Sequence, residues 1–268
     1  MKAVVLARGK GSRMQRAAAA AAATPEQSRI ADSGVKGMIP FRRPFLDYVL
    51  SALADAGCRQ VCLVIGPEHD TVRDYYQRIR VPRRVEIAFA EQKEARGTAD
   101  AVLSAEAFAG DDFFLTVNAD NYYPVDALRA LASLDGPGLA AFRRAALLEQ
   151  SNIDPARIRS FALLTIDDRG DLLDIVEKPD AGVDAGLGDR AAVSMNCWRF
   201  APSIFEACRR IEPSPRGELE LPAAARYAMR VLHERFRTIA VDGGVLDLSR
   251  REDIAEVERR LADVDPRP

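Results

Sequence analysis

Two glycines set among three cations are the first residues of this chain able to do chemistry. In "VLARGKGSRM", Val5 to Met14, Gly9 and Gly11 sit beside Arg8, Lys10 and Arg13, directly after an apolar run opened at Lys2. Glycine lets backbone N–H groups approach phosphate oxygens, and a guanidinium fork adds charge-assisted bonds. The loop is not a dinucleotide fingerprint: Met14 stands at the third position of GxGxxG, and the second apolar run ends at Ile65-Gly66 without an acidic residue. It is not a P-loop either, since no GxxxxGK[ST] occurs. A phosphate-cradling loop of another type and a basic turn of no special purpose are the two readings left. Two carboxylates stand out further on. Asp120 closes the run "FFLTVNAD", where ligands gather in open α/β sheets. Asp247 lies in "GVLDLS", flanked by Val245, Leu246 and Leu248, where a carboxylate is costly to leave unpaired.

The elements that must position these groups follow from patterning. "KAVVLA" (2–7), "QVCLVIG" (60–66), "RVEIAFA" (84–90) and "FFLTVNAD" (113–120) read as short buried strands. Between them the spacing predicts helices, the clearest starting at Pro44, with Phe45, Leu46, Val49, Leu50 and Leu53 on one face and Gly57 as its stop. Further helices are expected around 70–79, near 98–108 and from about Val125. Strand–helix alternation of this kind means a layered, mostly parallel α/β sheet, Rossmann-like, with helices on both faces. After about residue 138 the rhythm changes. "FALLTIDDRGDLLDIVEKP" reads as a β-hairpin about Asp168-Arg169-Gly170, a strand follows through Trp198 and Phe200, then a helix from Pro202 and a last helix over about 250–263. Neither a linker nor an internal repeat is visible, so 1–268 is expected to be a single domain. Its nucleotide-binding half is about 1–137, and its C-terminal half, about 138–268, adds the hairpin as a lid region.

Composition narrows the class. A hydrophobic fraction of 48% fills a core, and a net charge of −2 argues against a nucleic-acid or membrane-surface binder. Cys58, Cys62, Cys197 and Cys208 contain no CxxC pair and read as reduced core residues of a cytoplasmic protein. With only His69 and His233, a histidine-built metal site is nearly excluded. No signal-peptide pattern and no membrane-length apolar segment are present. The run "AAAAAAAT" (17–24) is expected to be a marginal helix.

The opening loop resembles the LAxGxGTRM signature of sugar-1-phosphate nucleotidylyltransferases, and the later blocks of that family follow in order. They are "VKGMIPFRRPFLDYVL", "EQKEARGTADAV", "VNADN", "VEKP", "RGELELP" and "VLDLSRREDIAEV". The likeness runs from about Lys2 to Leu261 and is nearest to the glucose-1-phosphate thymidylyl- and uridylyltransferase branch. It implies the GT-A-like nucleotidyltransferase fold, a nucleoside triphosphate and a sugar 1-phosphate as substrates, and Mg²⁺. A homo-oligomer is compatible with it.

By this resemblance Asp120 and Asp247 are the Mg²⁺ ligands. Arg13 clamps the β- and γ-phosphates with Lys36, while Leu6, Ala7, Arg8, Gly9 and Gly11 form the loop under the nucleotide. Gln92 reads the base, with Gly97 and Thr98 beside the ring. Lys178 meets the sugar phosphate and Glu177 the sugar hydroxyls, and Phe161, Ala162, Asn196 and Glu218 belong to the same pocket. Catalysis of an in-line attack between two anions is mainly charge neutralisation and alignment. Four departures from the pattern matter. Arg8 replaces a small residue, and Asn118-Ala119 replaces the Gly before the metal Asp. Phe161-Ala162 stands for Tyr-Gly, and Asn196 stands for a Gly. Phosphate and metal positions are thus kept and sugar-facing ones altered, so an acceptor other than glucose 1-phosphate is expected. The spacing from Gln92 to Gly97 favours dTTP or UTP, with Arg8 keeping GTP as the alternative. Two other functions remain at this stage: cytidylyl- or guanylyl transfer to a non-sugar phosphate, and a silent homologue that binds nucleotide sugars and regulates a partner.

Overall fold

The computed structural model describes residues 1–9, 11–15, 23–177 and 191–268. Eleven strands are named in chain order among them: β1 (Lys2–Leu6), β2 (Gln60–Ile65), β3 (Glu86–Glu91), β4 (Phe114–Asn118), β5 (Asn121–Tyr122), β6 (Gly138–Arg143), β7 (Leu163–Ile166), β8 (Leu172–Val176), β9 (Ala192–Phe200), β10 (Arg237–Val241) and β11 (Leu246–Asp247). The main sheet runs β10-β6-β9-β4-β1-β2-β3. Strands β4, β1, β2 and β3 pair in parallel. Of these, β1, β2 and β4 are largely buried apolar runs, whereas β3, expected to be buried, is the edge strand and only half-buried. Strand β9 is antiparallel to both β4 and β6, and β10 pairs in parallel with β6. The sheet is therefore mixed but mostly parallel along this path. It runs through both halves of the chain.

Helices cover both faces with two apolar layers. One contains the helix Phe45–Asp55, buried along nearly its whole length, and the last helix Asp253–Leu261, which turns Ile254, Val257 and Leu261 inward. The other holds the helices Thr98–Ser104, Ser203–Arg210 and Leu221–Arg230, packed around Trp198, Phe200, Phe114 and Phe236. Trp198 is fully buried and stacks on Phe200 at 5.3 Å. All four cysteines are buried and free, and burial pushes the Cys58 thiol up to about 11.

The structure redraws several boundaries. The expected helix over 70–79 is α-helical only for Asp70–Asp74 and continues as a π-turn, Tyr75–Ile79. That over 98–108 breaks at Ala105 into two. The hairpin is β7–β8, and β7 also pairs with β9, so it extends the main sheet rather than standing apart as a lid. Strands β6, β10, β5 and β11 carry no clear period in the sequence. The first two are held by the sheet, the last two by each other.

Candidate active site: two adjoining cavities

Strand β1 lies between β2 and β4, so the loop leaving its carboxyl end meets the loop leaving β4. The two are joined where Ala119 N–H donates to the Leu6 carbonyl at 3.1 Å. This is where an open α/β sheet makes a crevice. A cavity of about 420 Å³ opens there, with Leu6, Ala7, Arg8, Gly9, Gly11 and Arg13 along one side and Lys36, Gln92, Gly97, Thr98 and Asp120 among its other walls. The two glycines differ in kind. Gly11 sits at φ +60°, and a Cβ there would lie 2.3 Å from the Gly34 carbonyl oxygen. A Cβ on Gly9 would meet nothing within 4 Å, leaving open space for a ligand to approach its backbone.

Gly34 also explains how Lys36 arrives. The stretch that lengthens the Arg13–Lys36 spacing folds into a helix, Pro25–Ser33, with Thr24 and Gln27 forming a capping box. Gly34 ends it in the left-handed conformation. A single 3₁₀ turn, Lys36–Met38, then places the Lys36 ammonium in an ion pair with the Asp120 carboxylate. Of the alanine run only Ala23 and the capping Thr24 are described; Ala17–Ala22 lie outside the described residues.

Asp120 and Asp247 are brought together by the short antiparallel pair β5–β11. Asp247 registers with Asn121, and Leu248 N–H donates to the Asp120 carbonyl at 2.8 Å. The two side chains meet different partners. Asp247 is 5% exposed. One oxygen accepts from Arg157 at 2.7 Å and the other from Asn121 Nδ2 at 3.1 Å. Burial works against the Arg157 charge, but Asp247, Asp253 and Asp120 together raise its pKa above the ordinary value. Asp253 secures the turn before the last helix: its Oδ2 accepts from the N–H groups of Ser249 and Arg250. Among the described residues no three His, Cys, Asp or Glu side chains gather as a metal cluster.

The blocks around Gln92 and Glu218 are stitched by backbone. Leu219 N–H donates to the Arg96 carbonyl at 2.7 Å and Ala99 N–H to the Leu219 carbonyl at 2.9 Å. The Thr98 hydroxyl accepts from Leu221 N–H at 2.9 Å. Gly97, at φ +117°, runs so close that a Cβ would lie 2.4 Å from the Leu219 carbonyl oxygen. Gly97 and Thr98 thus shape this wall as well as line it. Glu218, placed with the sugar pocket by the sequence reading, lines this first cavity. Arg8 folds back: Nε donates to the Gln92 carbonyl at 3.1 Å and Nη1 pairs with Glu68 at 3.0 Å.

A second cavity of about 440 Å³ adjoins the first, because Arg13 and Asn196 line both. Its other walls are Phe161, Ala162 and Glu177, together with Arg157, Arg216 and Arg250. Lys178 lies outside the described residues. Asn196 interrupts β9 at φ +54°, opposite an irregular register between β9 and β6. This left-handed conformation accounts for the family glycine, and asparagine tolerates it better than most residues. The three arginines were missed by sequence reasoning. Arg216 stood in the quoted "RGELE" block and Arg250 three residues after Asp247, while Arg157 had no signal beyond the Asp154-Pro155 helix start.

This crevice, with its glycine loop, carboxylate-bearing strands and cationic second chamber, has counterparts. A family model for nucleotidyl transferases matches residues 2–263, and the chain belongs to that family. UTP--glucose-1-phosphate uridylyltransferase AglF of Haloferax volcanii is 28% identical over 263 residues, covering 97% of this chain and 96% of that protein. A glucose-1-phosphate thymidylyltransferase of Streptomyces antibioticus is 31% identical over 277 residues, covering 100% of this chain and 68% of that protein. The crystal structure of UDP-glucose pyrophosphorylase complexed with UDP-glucose shares the fold. Its TM-score is 0.76 at 19% identity, over 98% of this chain and 99% of that one. Among the described residues no helix is long and apolar enough to cross a membrane.

Proposed function

We propose that the protein transfers a nucleotidyl group from a nucleoside triphosphate to a sugar 1-phosphate, or a sugar-like alcohol phosphate, forming a nucleotide sugar and pyrophosphate. The observation that carries this is the pair of adjoining cavities sharing Arg13 and Asn196. One holds the triphosphate on the loop after β1. The other holds the acceptor phosphate among Arg157, Arg216 and Arg250, and Lys178 is assigned to the same phosphate. An acceptor phosphate oxygen attacks the α-phosphorus in line with the departing pyrophosphate, whose charge Arg13 and Lys36 meet.

The residues fit a magnesium ion. Mg²⁺ is held by one or two carboxylates plus substrate phosphates, and Asp247 on β11 and Asp120 just before its partner β5 supply an all-oxygen pair, joined by the Leu248 N–H to Asp120 carbonyl bond. When bound, the ion neutralises phosphate charge. Lys36 and Arg157 pair with these same carboxylates in the structure and bring their cations to the phosphate-binding walls.

The acceptor is not glucose 1-phosphate, because Asn196 and Ala162 bring side chains where the family has glycine. The protein works in the cytoplasm, which suits four unpaired buried thiols. Pyrophosphate release over a matrix of triphosphates and sugar 1-phosphates tests the whole reading. Release with at least one pair is expected, and the best acceptor should be a sugar other than glucose. Silence across the matrix, or a clear preference for glucose 1-phosphate, would refute the transfer or the acceptor assignment respectively.

A further inference from the structure

Cationic side chains are shared unequally between the two cavities, in the direction opposite to the charge of their assigned occupants. A triphosphate carries more negative charge than a phosphate monoester, which bears about two charges. Yet among the described residues the nucleotide cavity is lined by three cations, Arg8, Arg13 and Lys36, and two of these are already paired, with Glu68 and Asp120. The acceptor cavity is lined by four, Arg13, Arg157, Arg216 and Arg250, against the single described carboxylate of Glu177. The magnesium ion assigned to Asp120 and Asp247 makes up the nucleotide side. The surplus on the acceptor side calls for an occupant.

The four arginines are not equivalent. Arg157 is nearly buried and held by Asp247 at 2.7 Å, and Arg216 is held by Glu220 at 2.6 Å. Arg13 lines the nucleotide cavity as well and is assigned there to the departing pyrophosphate. Arg250 lines the acceptor cavity alone of these two. Its backbone is fixed, because its N–H donates to Asp253 Oδ2 at 2.7 Å. Its side chain is exposed and, among the described residues, has neither an ion pair nor a hydrogen bond. The groove on its other side holds Asp154, Glu252, Asp253 and Glu256, yet none of these pairs with its guanidinium, and Glu256 is taken up by Arg259 and Arg260. A guanidinium anchored at its backbone and open at its fork suits a carboxylate or phosphate, which it meets bidentately.

We infer that the acceptor is an acidic sugar phosphate: besides the phosphate that attacks, it carries a second anionic group, a carboxylate or another phosphate, received by Arg250. Arg157 and Arg216, with Lys178, supply enough N–H donors for the oxygens of one phosphate. A neutral sugar phosphate leaves Arg250 nothing of opposite charge to bind. The inference rests on the transfer reading and deepens it, since it names what the altered acceptor pocket selects: a charge, rather than another arrangement of neutral hydroxyls.

Pyrophosphate release by the full chain, with UTP, dTTP, GTP, CTP and ATP in turn, tests this on glucose, galactose and mannose 1-phosphates, each beside its uronic acid 1-phosphate and its 1,6-bisphosphate. Within a series only the group at C6 changes, from hydroxymethyl to carboxylate or to phosphorylated hydroxymethyl. In at least one series an acidic member should exceed its neutral parent in kcat/KM by about fivefold or more, as for a charge-assisted pair at an exposed site. The two acidic arms tell a carboxylate from a second phosphate. Arg250→Ala should bring the acidic substrate down to the level of its parent and leave the neutral one within about twofold. The variant keeps the fold, because the side chain it removes makes no bond to the described residues. Neutral sugars used as well as or better than their acidic counterparts overturn the second anion while leaving nucleotidyl transfer standing, and so does a preference that survives Arg250→Ala. Silence with every acceptor overturns transfer to a sugar 1-phosphate, and the inference with it.

Discussion

The two cavities are built in opposite ways. The nucleotide cavity takes its walls from segments at the carboxyl ends of neighbouring strands, and apart from Asn196, which it shares with the acceptor cavity, its special conformations fall on glycines: Gly11, Gly34 and Gly97. Close backbone packing makes Gly11 and Gly97 necessary, since a Cβ on either would lie within about 2.5 Å of another backbone carbonyl. The acceptor cavity is assembled from scattered pieces: a short helix, a hairpin end, a bulged strand and two exposed arginine-bearing loops. Its special conformation falls on an asparagine. A triphosphate site is a backbone device and tolerates little change, whereas an acceptor site made of side chains can be altered without touching the fold.

The strongest way to break this comparison is at the seam between the cavities, where Asp120 lines the nucleotide side and Asp247, which lines neither cavity, pairs with Arg157 of the acceptor wall. Asp120→Asn should lower kcat on the order of a thousandfold or more, as expected when a charge preorganised at the reacting phosphate is lost. Asp247→Asn should do the same. Circular dichroism should stay near that of the parent for both. The thermal midpoint should hold for Asp120→Asn, at a partly exposed site, and fall for Asp247→Asn, which leaves the nearly buried Arg157 short of its carboxylate partner. A variant that retains most of its turnover in pyrophosphate release would remove that carboxylate from the machinery.

A smaller effect separates the cavities. Arg13 lines both and, among the described residues, has no ion-pair partner, so Arg13→Ala should cost on the order of a hundredfold in kcat. Arg216 lines only the acceptor side and is already paired with Glu220 at 2.6 Å. Arg216→Ala should raise the acceptor KM about tenfold and leave the triphosphate KM within about twofold. Equal changes in both KM values would mean that the two cavities are one site.

This contrast also governs what could be read from the sequence. The loop after β1 was legible because glycine and cation types at fixed spacing carry the phosphate logic locally. Strands β1, β2 and β4 were legible because both faces are buried, and the half-buried edge strand β3 because its apolar run is just as continuous. Asp120 could be placed from its strand end alone. Asp247 could be recognised as a carboxylate in need of a partner, but not that Arg157, ninety residues earlier, would be that partner. Strands β5 and β11 are two residues each, too short for a period, yet they are what brings the two aspartates side by side. The acceptor arginines lie on exposed segments where an arginine is ordinarily a solvated charge, so only the folded arrangement separates Arg157, Arg216 and Arg250 from the rest.

The smallest effect probes the support behind the seam. Burial, aided by the nearby Asp247 and opposed by backbone N–H bonds and Arg157, pushes the Asp253 carboxyl up to about 6 from an ordinary 3.8. The folded state then holds this proton more tightly than the unfolded chain, so stability from this group is full below about pH 4 and is lost as pH rises toward 6. At about 1.4 kcal/mol per unit, the loss is on the order of 3 kcal/mol. Asp253→Asn should remove this dependence and keep the fold, because both backbone donors converge on the single oxygen Oδ2, which an amide oxygen can replace. Urea unfolding at pH 4 and pH 7 gives the difference directly: the parent should lose stability relative to the variant between the two, and parallel behaviour would show that Asp253 ionises freely. The same variant should leave both substrate KM values unchanged, since the residue lines neither the nucleotide nor the acceptor cavity. A shift in the acceptor KM alone would mean that Arg157, 3.7 Å from Asp253, passes its position on to the acceptor phosphate.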